Sequence, residues 1–269
     1  MYQYGIILSF LSVILKGISR SQHLARIKAA TILMQGLLFL RQGSLSGMGR
    51  GIALLYEDKT FRGELKRAYR LLKNPEVDCW QTARAFLAYM SRELREVLIV
   101  VDWTQVGYFK VLEACLVVEG RGIPFYGIFV HEEELGGRQT TIELTMWYAL
   151  IAMREEGQTF RVAVDRGFAK FDWVGESLLY PFMHLVVRLK RSMILTWGTI
   201  SGQLQEWPLY RGEVVEIEKA YLGKEAEVVT AVCRANLSQK NEDIYLACSR
   251  EDLEIALQIY KKRPAVEMV

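Results

Sequence analysis

The sequence has 269 residues, of which 51% are hydrophobic and 24% are charged, with a formal net charge of +3. This is the composition of a globular protein, and the length allows two domains with cores of their own. Four cysteines are scattered without a C-x-x-C pair, which leaves zinc fingers unsupported and argues against a disulfide framework. We therefore expect reduced thiols and a cytoplasmic protein.

An apolar segment at residues 5–15 is interrupted only by two serines. It is too short to span a bilayer, which takes about 20 residues. No basic residue precedes it and no small-residue cleavage pattern follows it, as a secretory signal would require. We expect a buried amphipathic helix here and no membrane partner.

The charge is distributed unevenly along the chain. Residues 1–95 contain 15 Lys and Arg against 6 Asp and Glu, a balance of +9, whereas residues 96–269 have a balance of −6. Periodic apolar positions predict helices at residues 22–40, 59–73 and 81–94, and the glycine-rich residues 41–51 predict a turn. The predicted architecture of residues 1–95 is therefore an all-α N-terminal region.

The helix predicted at residues 59–73 has an apolar face and a basic face. Arg62, Lys66 and Arg70 belong to the basic face. Short helices with basic faces are compatible with a helix-turn-helix-like DNA-binding module, and a basic half suggests contact with a polyanion. The alternative is a solvated basic face without a partner.

The pattern changes to alternating strands and helices after residue 96. Strands are predicted at residues 97–101, 109–119, 123–130, 161–164, 184–190 and 243–248, and helices at 141–156, 172–180 and from 251 onward. Residues 191–240 contain short alternating runs and predict a β-rich insertion. The fold class is therefore α/β.

Two of these predicted strands end on an aspartate, Asp102 and Asp165. Ligands in α/β folds bind outside the carboxyl ends of strands, which favours a site there. Asp165 is followed by a turn at Gly167, and its alternative role is to cap the next helix. A third acid, Glu267, lies on the last predicted helix.

Three acids of this kind would form a site for two divalent cations. Carboxylate oxygens suit Mg²⁺ or Mn²⁺, and two such ions support phosphodiester cleavage. Tyr260, Arg263 and Glu267 fall at i, i+3 and i+7, within one helical arc. This arc would place a ligand, a phosphate clamp and a stacking ring together.

These segments resemble the three catalytic blocks of DDE-type transposases of the insertion sequence four family. The resemblance rests on V-D-W-T at 101–104, A-V-D-R-G-F at 163–168, and the Tyr260–Arg263–Glu267 spacing. In addition, R-L-L-K-N-P-E-V at 70–77 resembles the end of the family's helical N-terminal region. The resemblance covers nearly the whole chain. It implies a helical DNA-binding region at 1–95 and an RNase H-like catalytic domain, a mixed sheet with flanking helices, at 96–269, with the β insertion at about 191–240.

The resemblance also implies the chemistry. Asp102, Asp165 and Glu267 would be catalytic residues and ligands of two Mg²⁺ or Mn²⁺ ions, and Tyr260 and Arg263 would contact DNA. The expected activity is cleavage and strand transfer of double-stranded DNA at terminal repeats, by a homodimer at the nucleoid in the cytoplasm.

Two features depart from the family pattern. The signature lysine belongs seven positions after Glu267, but the sequence ends at Val269, and Pro264 disfavours a continuous helix at Arg263. We therefore also expect that a C-terminally truncated, inactive transposase could bind transposon ends without moving them. A third hypothesis is an RNase H-like nuclease unrelated to transposition.

Overall fold

The computed structural model describes residues 29–33, 45–56, 58–74, 78–168, 171–206, 217, 220–222, 226–228, 233–236, 243–249 and 253–261. The chain divides into two compact units, with the division between Met90 and Ser91. Each unit is described by itself. The apolar segment at 5–15 lies outside the described residues.

The described part of the first unit is helical. Its helices are α1 (Leu45–Leu55), α2 (Phe61–Leu72) and α3 (Cys79–Ser91), and residues 29–33 are helical as well. Thr60 caps α2, because its hydroxyl accepts a 3.2 Å hydrogen bond from the backbone N–H of Gly63. A small core of Leu33, Ile52 and Ala68 joins residues 29–33, α1 and α2. Most of the helix predicted at residues 22–40 lies outside the described residues.

The glycine-rich residues predicted as a turn belong in fact to helix α1, so that prediction is wrong for the described residues. The reason lies in packing against α2. A Cβ atom built on Gly49 would lie 3.1 Å from the backbone nitrogen of Leu65. Glycine weakens an isolated helix, but here its missing side chain lets the two helices approach closely.

The second unit contains eleven strands and three further α-helices within the described residues. In chain order they are β1 (Glu96–Val106), β2 (Phe109–Val118), β3 (Arg121–His131), α4 (Gln139–Met153), β4 (Thr159–Val164), α5 (Phe171–Leu179), β5 (Met183–Arg188), β6 (Ile194–Trp197), β7 (Ile200–Gln203), β8 (Ala220–Leu222), β9 (Ala226–Val228), β10 (Cys233–Asn236), β11 (Asp243–Cys248) and α6 (Leu253–Lys261).

The main sheet has seven strands in the order β10-β11-β5-β4-β1-β2-β3. Strand β4 is parallel to β1 and β5, and the other neighbours are antiparallel. Helix α4 connects β3 to β4, and α5 connects β4 to β5. This mixed sheet with flanking helices is compatible with the RNase H-like fold that the resemblance implies.

The residues predicted as a β-rich insertion divide between two sheets. Strands β6 to β9 form a separate four-stranded sheet in the order β7-β6-β8-β9. Strand β10 instead joins the main sheet beside β11. The sequence pattern identified short strands in this region but not which sheet each one joins.

The strand predicted to end at residue 101 continues to Val106, so Asp102 lies inside β1 and not at its end. Pairing with β4 does stop at Val101, opposite Val164. Pairing with β2 continues from Asp102, opposite Glu113, to the tight turn of the hairpin. Strand β1 therefore continues beyond its pairing with β4, because its antiparallel pairing with β2 continues to Val106.

The central strands β1, β4 and β5 of the main sheet are buried on both faces, since each contains three consecutive buried residues. On one face Val100, Ala163 and Val186 pack with Ala256 and Ile259 of α6. A second, aromatic contact joins α4 and α5, where the rings of Trp147 and Trp173 lie 4.9 Å apart. Among the described helices, none is long and apolar enough to cross a membrane.

Candidate active site

Asp102 and Asp165 follow neighbouring positions on two parallel strands. Val101 of β1 is in register with Val164 of β4, and each aspartate comes next in its chain. Alternate residues of a strand share a face. Asp102 therefore shares a face with Val100, and Asp165 continues the side of Ala163, the face that α6 covers. The backbone N–H of Trp103 donates a 2.9 Å hydrogen bond to Oδ1 of Asp102.

Helix α6 reaches this pair of aspartates through Tyr260. The tyrosine ring is 6% exposed and packs in the apolar cluster that includes Val100 and Ala163. Its hydroxyl donates a 3.3 Å hydrogen bond to Oδ1 of Asp165. The structure thus brings three residues of the predicted set together: Asp102, Asp165 and Tyr260.

Arg188 also lies beside Asp165, although it is not among the site residues predicted from sequence. Its Nη1 atom is 3.9 Å from Oδ1 of Asp165. The two residues are neighbours because Val187 of β5 is in register with Val164 of β4. The available signal was a basic residue within the strand predicted at 184–190, but only the order of the strands shows that β5 is next to β4.

Two residues of β2 complete this part of the face. Glu113 is the register partner of Asp102, and Cys115 is the partner of Val100. Burial raises the pKa of the Cys115 thiol to about 12, and the negative charges of Glu113 and Asp102 and a hydrogen bond to Glu113 add to this effect. The thiol is therefore protonated at neutral pH and is a poor nucleophile.

The other predicted site residues lie elsewhere. Arg263 and Glu267 are outside the described residues. Arg62, Lys66 and Arg70 lie in the first unit, on α2, and all three are exposed. Their spacing of four residues places them along one side of the helix.

The donor chemistry at Asp102 and Asp165 fits a hard divalent cation, since both offer carboxylate oxygens on one face of the sheet. Within the described parts of the chain, no group of three or more His, Cys, Asp and Glu side chains is arranged to hold a metal ion. Glu267, the third predicted ligand, lies outside these parts.

No protein-family model and no curated protein matches the sequence. Among solved structures, the chain is similar to the piggyBac transposase in its synaptic complex with hairpin DNA, with a TM-score of 0.44 and 10% sequence identity. The similarity covers 95% of this chain and 62% of that chain, so the chain spans less than two thirds of that protein. The insertion sequence four assignment therefore stays a prediction.

The side chains around Asp102 and Asp165 themselves indicate which chemistry the site can support. Two carboxylates on one face of the sheet can bind a cation, and the Arg188 guanidinium beside Asp165 can bind an anionic group. A phosphodiester is a substrate that needs both kinds of contact.

Proposed function

We propose that this chain is a DDE-type transposase of the insertion sequence four family that cleaves and joins DNA strands at transposon ends. The observation that carries the proposal is the hydrogen bond from Tyr260 to Asp165. This bond connects the third sequence block of the resemblance to the second. A buried tyrosine hydroxyl needs a hydrogen-bond partner, and here that partner is the carboxylate of the second block.

In this proposal Asp102, Asp165 and Glu267 hold two Mg²⁺ or Mn²⁺ ions. When bound, such ions activate the attacking oxygen and stabilise the leaving oxygen of a phosphodiester. Tyr260 orients the Asp165 carboxylate, and Arg263 binds a phosphate of the transposon end.

The proposed DNA contacts outside the active site involve α2. Arg62, Lys66 and Arg70 would bind backbone phosphates of double-stranded DNA, which would place the protein at the nucleoid. Exposed Tyr69 adds an aromatic ring to this helix, with the Lys73 ammonium 4.5 Å from its centroid. We further propose that the protein acts on transposon ends and target DNA as a homodimer.

A strand-nicking assay tests the proposal. Duplexes that contain the sequences flanking the coding region are incubated with the protein and Mg²⁺ or Mn²⁺, and nicks are mapped at nucleotide resolution. We expect nicks at fixed positions with the wild-type protein and none with Asp165→Asn or Asp102→Asn. Asp172→Asn is the matched control, because Asp172 is exposed on α5. Equal nicking by the Asp165 variant would remove the catalytic assignment.

A second candidate function is binding of transposon ends without cleavage. The exposed basic side of α2 favours it, because DNA binding there requires no third metal ligand. Under this hypothesis the wild-type protein protects the ends from nuclease digestion but does not nick them in either metal. The nicking and protection assays on the same duplexes therefore separate the two functions.

A further inference from the structure

Glu143 is a carboxylate buried completely inside the second unit. It lies on α4 with 0% of its surface exposed. Its Oε1 atom accepts a 3.0 Å hydrogen bond from the indole N–H of Trp103 and a 2.6 Å hydrogen bond from the side-chain amide of Gln139. Burying a carboxylate costs free energy that an apolar residue would not cost. A role beyond packing would account for this cost.

Trp103 connects Glu143 to the candidate active site. Consecutive residues of a strand point to opposite faces. Trp103 therefore reaches α4 on one face of the sheet, while Asp102 lies on the face that α6 covers. The backbone N–H of Trp103 binds Oδ1 of Asp102 at 2.9 Å. The orientation of one peptide group thus affects both contacts.

This part of β1 has less support than the strand before it. The pairing of β1 with β4 ends at Val101, so in the described part of the sheet Asp102 and Trp103 are paired with β2 alone. A strand segment with one paired edge has fewer hydrogen bonds to fix its backbone. The indole anchor supplies a contact at the point where the parallel partner stops.

We propose that Glu143 is a positioning residue: by holding the Trp103 indole, it fixes the peptide N–H that orients the Asp102 carboxylate for metal binding. The proposal rests on the proposed function for the metal, but its structural part does not depend on catalysis. Glu143 itself does not contact the cation or the substrate. Buried partners of metal ligands change metal affinity by about 10–100-fold in other proteins.

Four single variants of the full chain and one double variant, Glu143→Leu with Trp103→Phe, test the proposal. Glu143→Leu removes the acceptor, and Glu143→Gln keeps an oxygen that can accept from the indole. Trp103→Phe keeps a ring and removes the indole N–H. Glu176→Leu is the matched control. It removes a partly buried carboxylate from the neighbouring helix α5, and this carboxylate is hydrogen-bonded to Tyr148 and not to Trp103.

Two measurements are made on each variant: hydrogen exchange of the Trp103 backbone amide by NMR, and Mn²⁺ binding by electron paramagnetic resonance without DNA. We expect Glu143→Leu to accelerate exchange at Trp103 relative to Ile99 and to raise the Mn²⁺ dissociation constant about tenfold or more. Glu143→Gln should stay near wild type in both. The effects of Glu143→Leu and Trp103→Phe should be non-additive when combined.

Unchanged exchange at Trp103 in folded Glu143→Leu protein would overturn the proposal, and so would fully additive effects in the double variant. If Glu143→Leu does not fold, Trp103→Phe decides: unchanged Mn²⁺ binding in that variant overturns the proposal. A wild-type protein that does not bind Mn²⁺ would contradict the proposed function instead. In that case the exchange data alone decide whether Glu143 holds this peptide.

Discussion

Tyr260 and Asp165 are 95 residues apart in the sequence, and the tyrosine hydroxyl donates a hydrogen bond to the aspartate carboxylate. The bond joins α6 to the carboxyl end of β4 across the buried face of the main sheet. Helix α6 is held there by apolar packing of Ala256 and Ile259. The apolar contacts determine where α6 lies on the sheet, and the hydroxyl of Tyr260 links the helix to Asp165.

Tyr260→Phe separates these two contributions, because it keeps the ring and removes the hydroxyl. We expect the free energy of unfolding to fall by about 1 kcal/mol, the usual net value of one hydrogen bond, since this bond is only partly buried. We also expect the nicking assay to require a higher Mg²⁺ concentration, since the Asp165 carboxylate is less well oriented. Urea denaturation and a Mg²⁺ titration measure the two effects.

Tyr221→Phe is the control for the tyrosine substitution, because Tyr221 is 43% exposed on β8. It should change neither quantity. A Tyr260→Phe protein with wild-type stability and Mg²⁺ dependence would show that the hydroxyl contact has no role in the site.

The two aspartates and Tyr260 could be predicted from sequence because each sits in a local pattern: an aliphatic strand that meets an acid, or a helical spacing of three and seven residues. Arg188 and Glu113 could not. Their proximity to the aspartates depends on which strands are neighbours and in what register. These are non-local properties that a periodicity does not contain.

In the first unit, too, a local sequence pattern did not predict a contact between two elements. Glycines at residues 41–51 predicted a turn, because glycine weakens helices through its backbone entropy. The structure uses Gly49 inside α1 to bring that helix against Leu65 of α2. Composition alone does not reveal the partner helix that makes a small residue favourable.

Substitution of Gly49 tests this packing argument. In Gly49→Ala the new methyl group would meet backbone atoms of Leu65 at 3.1–3.3 Å. The two helices must then separate, and we expect a net loss of about 1 kcal/mol or more in the free energy of unfolding. Gly175→Ala on α5 is the matched control, because no atom lies within 4 Å of its added Cβ.

The control substitution should have the opposite sign. Alanine in an open helical position stabilises by about 0.5–1 kcal/mol relative to glycine. Thermal or urea unfolding of both variants gives the comparison. A stabilised Gly49→Ala protein would mean that α1 does not pack closely on α2 in solution.

Cys115 gives a prediction about pH. Its folded-state pKa of about 12 lies above the ordinary value of 9.0. The thiol of the unfolded chain releases its proton at lower pH than the thiol of the folded protein. The contribution of the thiol to stability is therefore complete below about pH 9, and it is lost as the pH rises toward 12. We expect the stability difference between wild type and Cys115→Ala to shrink between pH 8 and pH 10.5.

Alkylation reports the same property directly. Iodoacetamide at pH 8 should label exposed Cys79 in the native protein and leave buried Cys115 unmodified, and urea should make both reactive. Mass spectrometry of tryptic peptides distinguishes the two sites. Equal labelling of Cys115 and Cys79 in the native protein would mean that the β2 face is open to solvent.

Charge neutralisation on α2 tests the proposed DNA contact. Arg62, Lys66 and Arg70 are exposed along one side of that helix, so each can bind a backbone phosphate. In the triple glutamine variant, the slope of log K against log salt should decrease in magnitude by about 2–3, since each phosphate contact contributes about 0.9. The control set consists of three exposed arginines of the second unit, at the end of the main sheet away from Asp102: Arg92, Arg95 and Arg121. Fluorescence anisotropy over a salt series measures both slopes. If the contact is specific to α2, the control variant keeps the wild-type slope. An equal decrease of the slope in the control variant would instead indicate a general effect of charge.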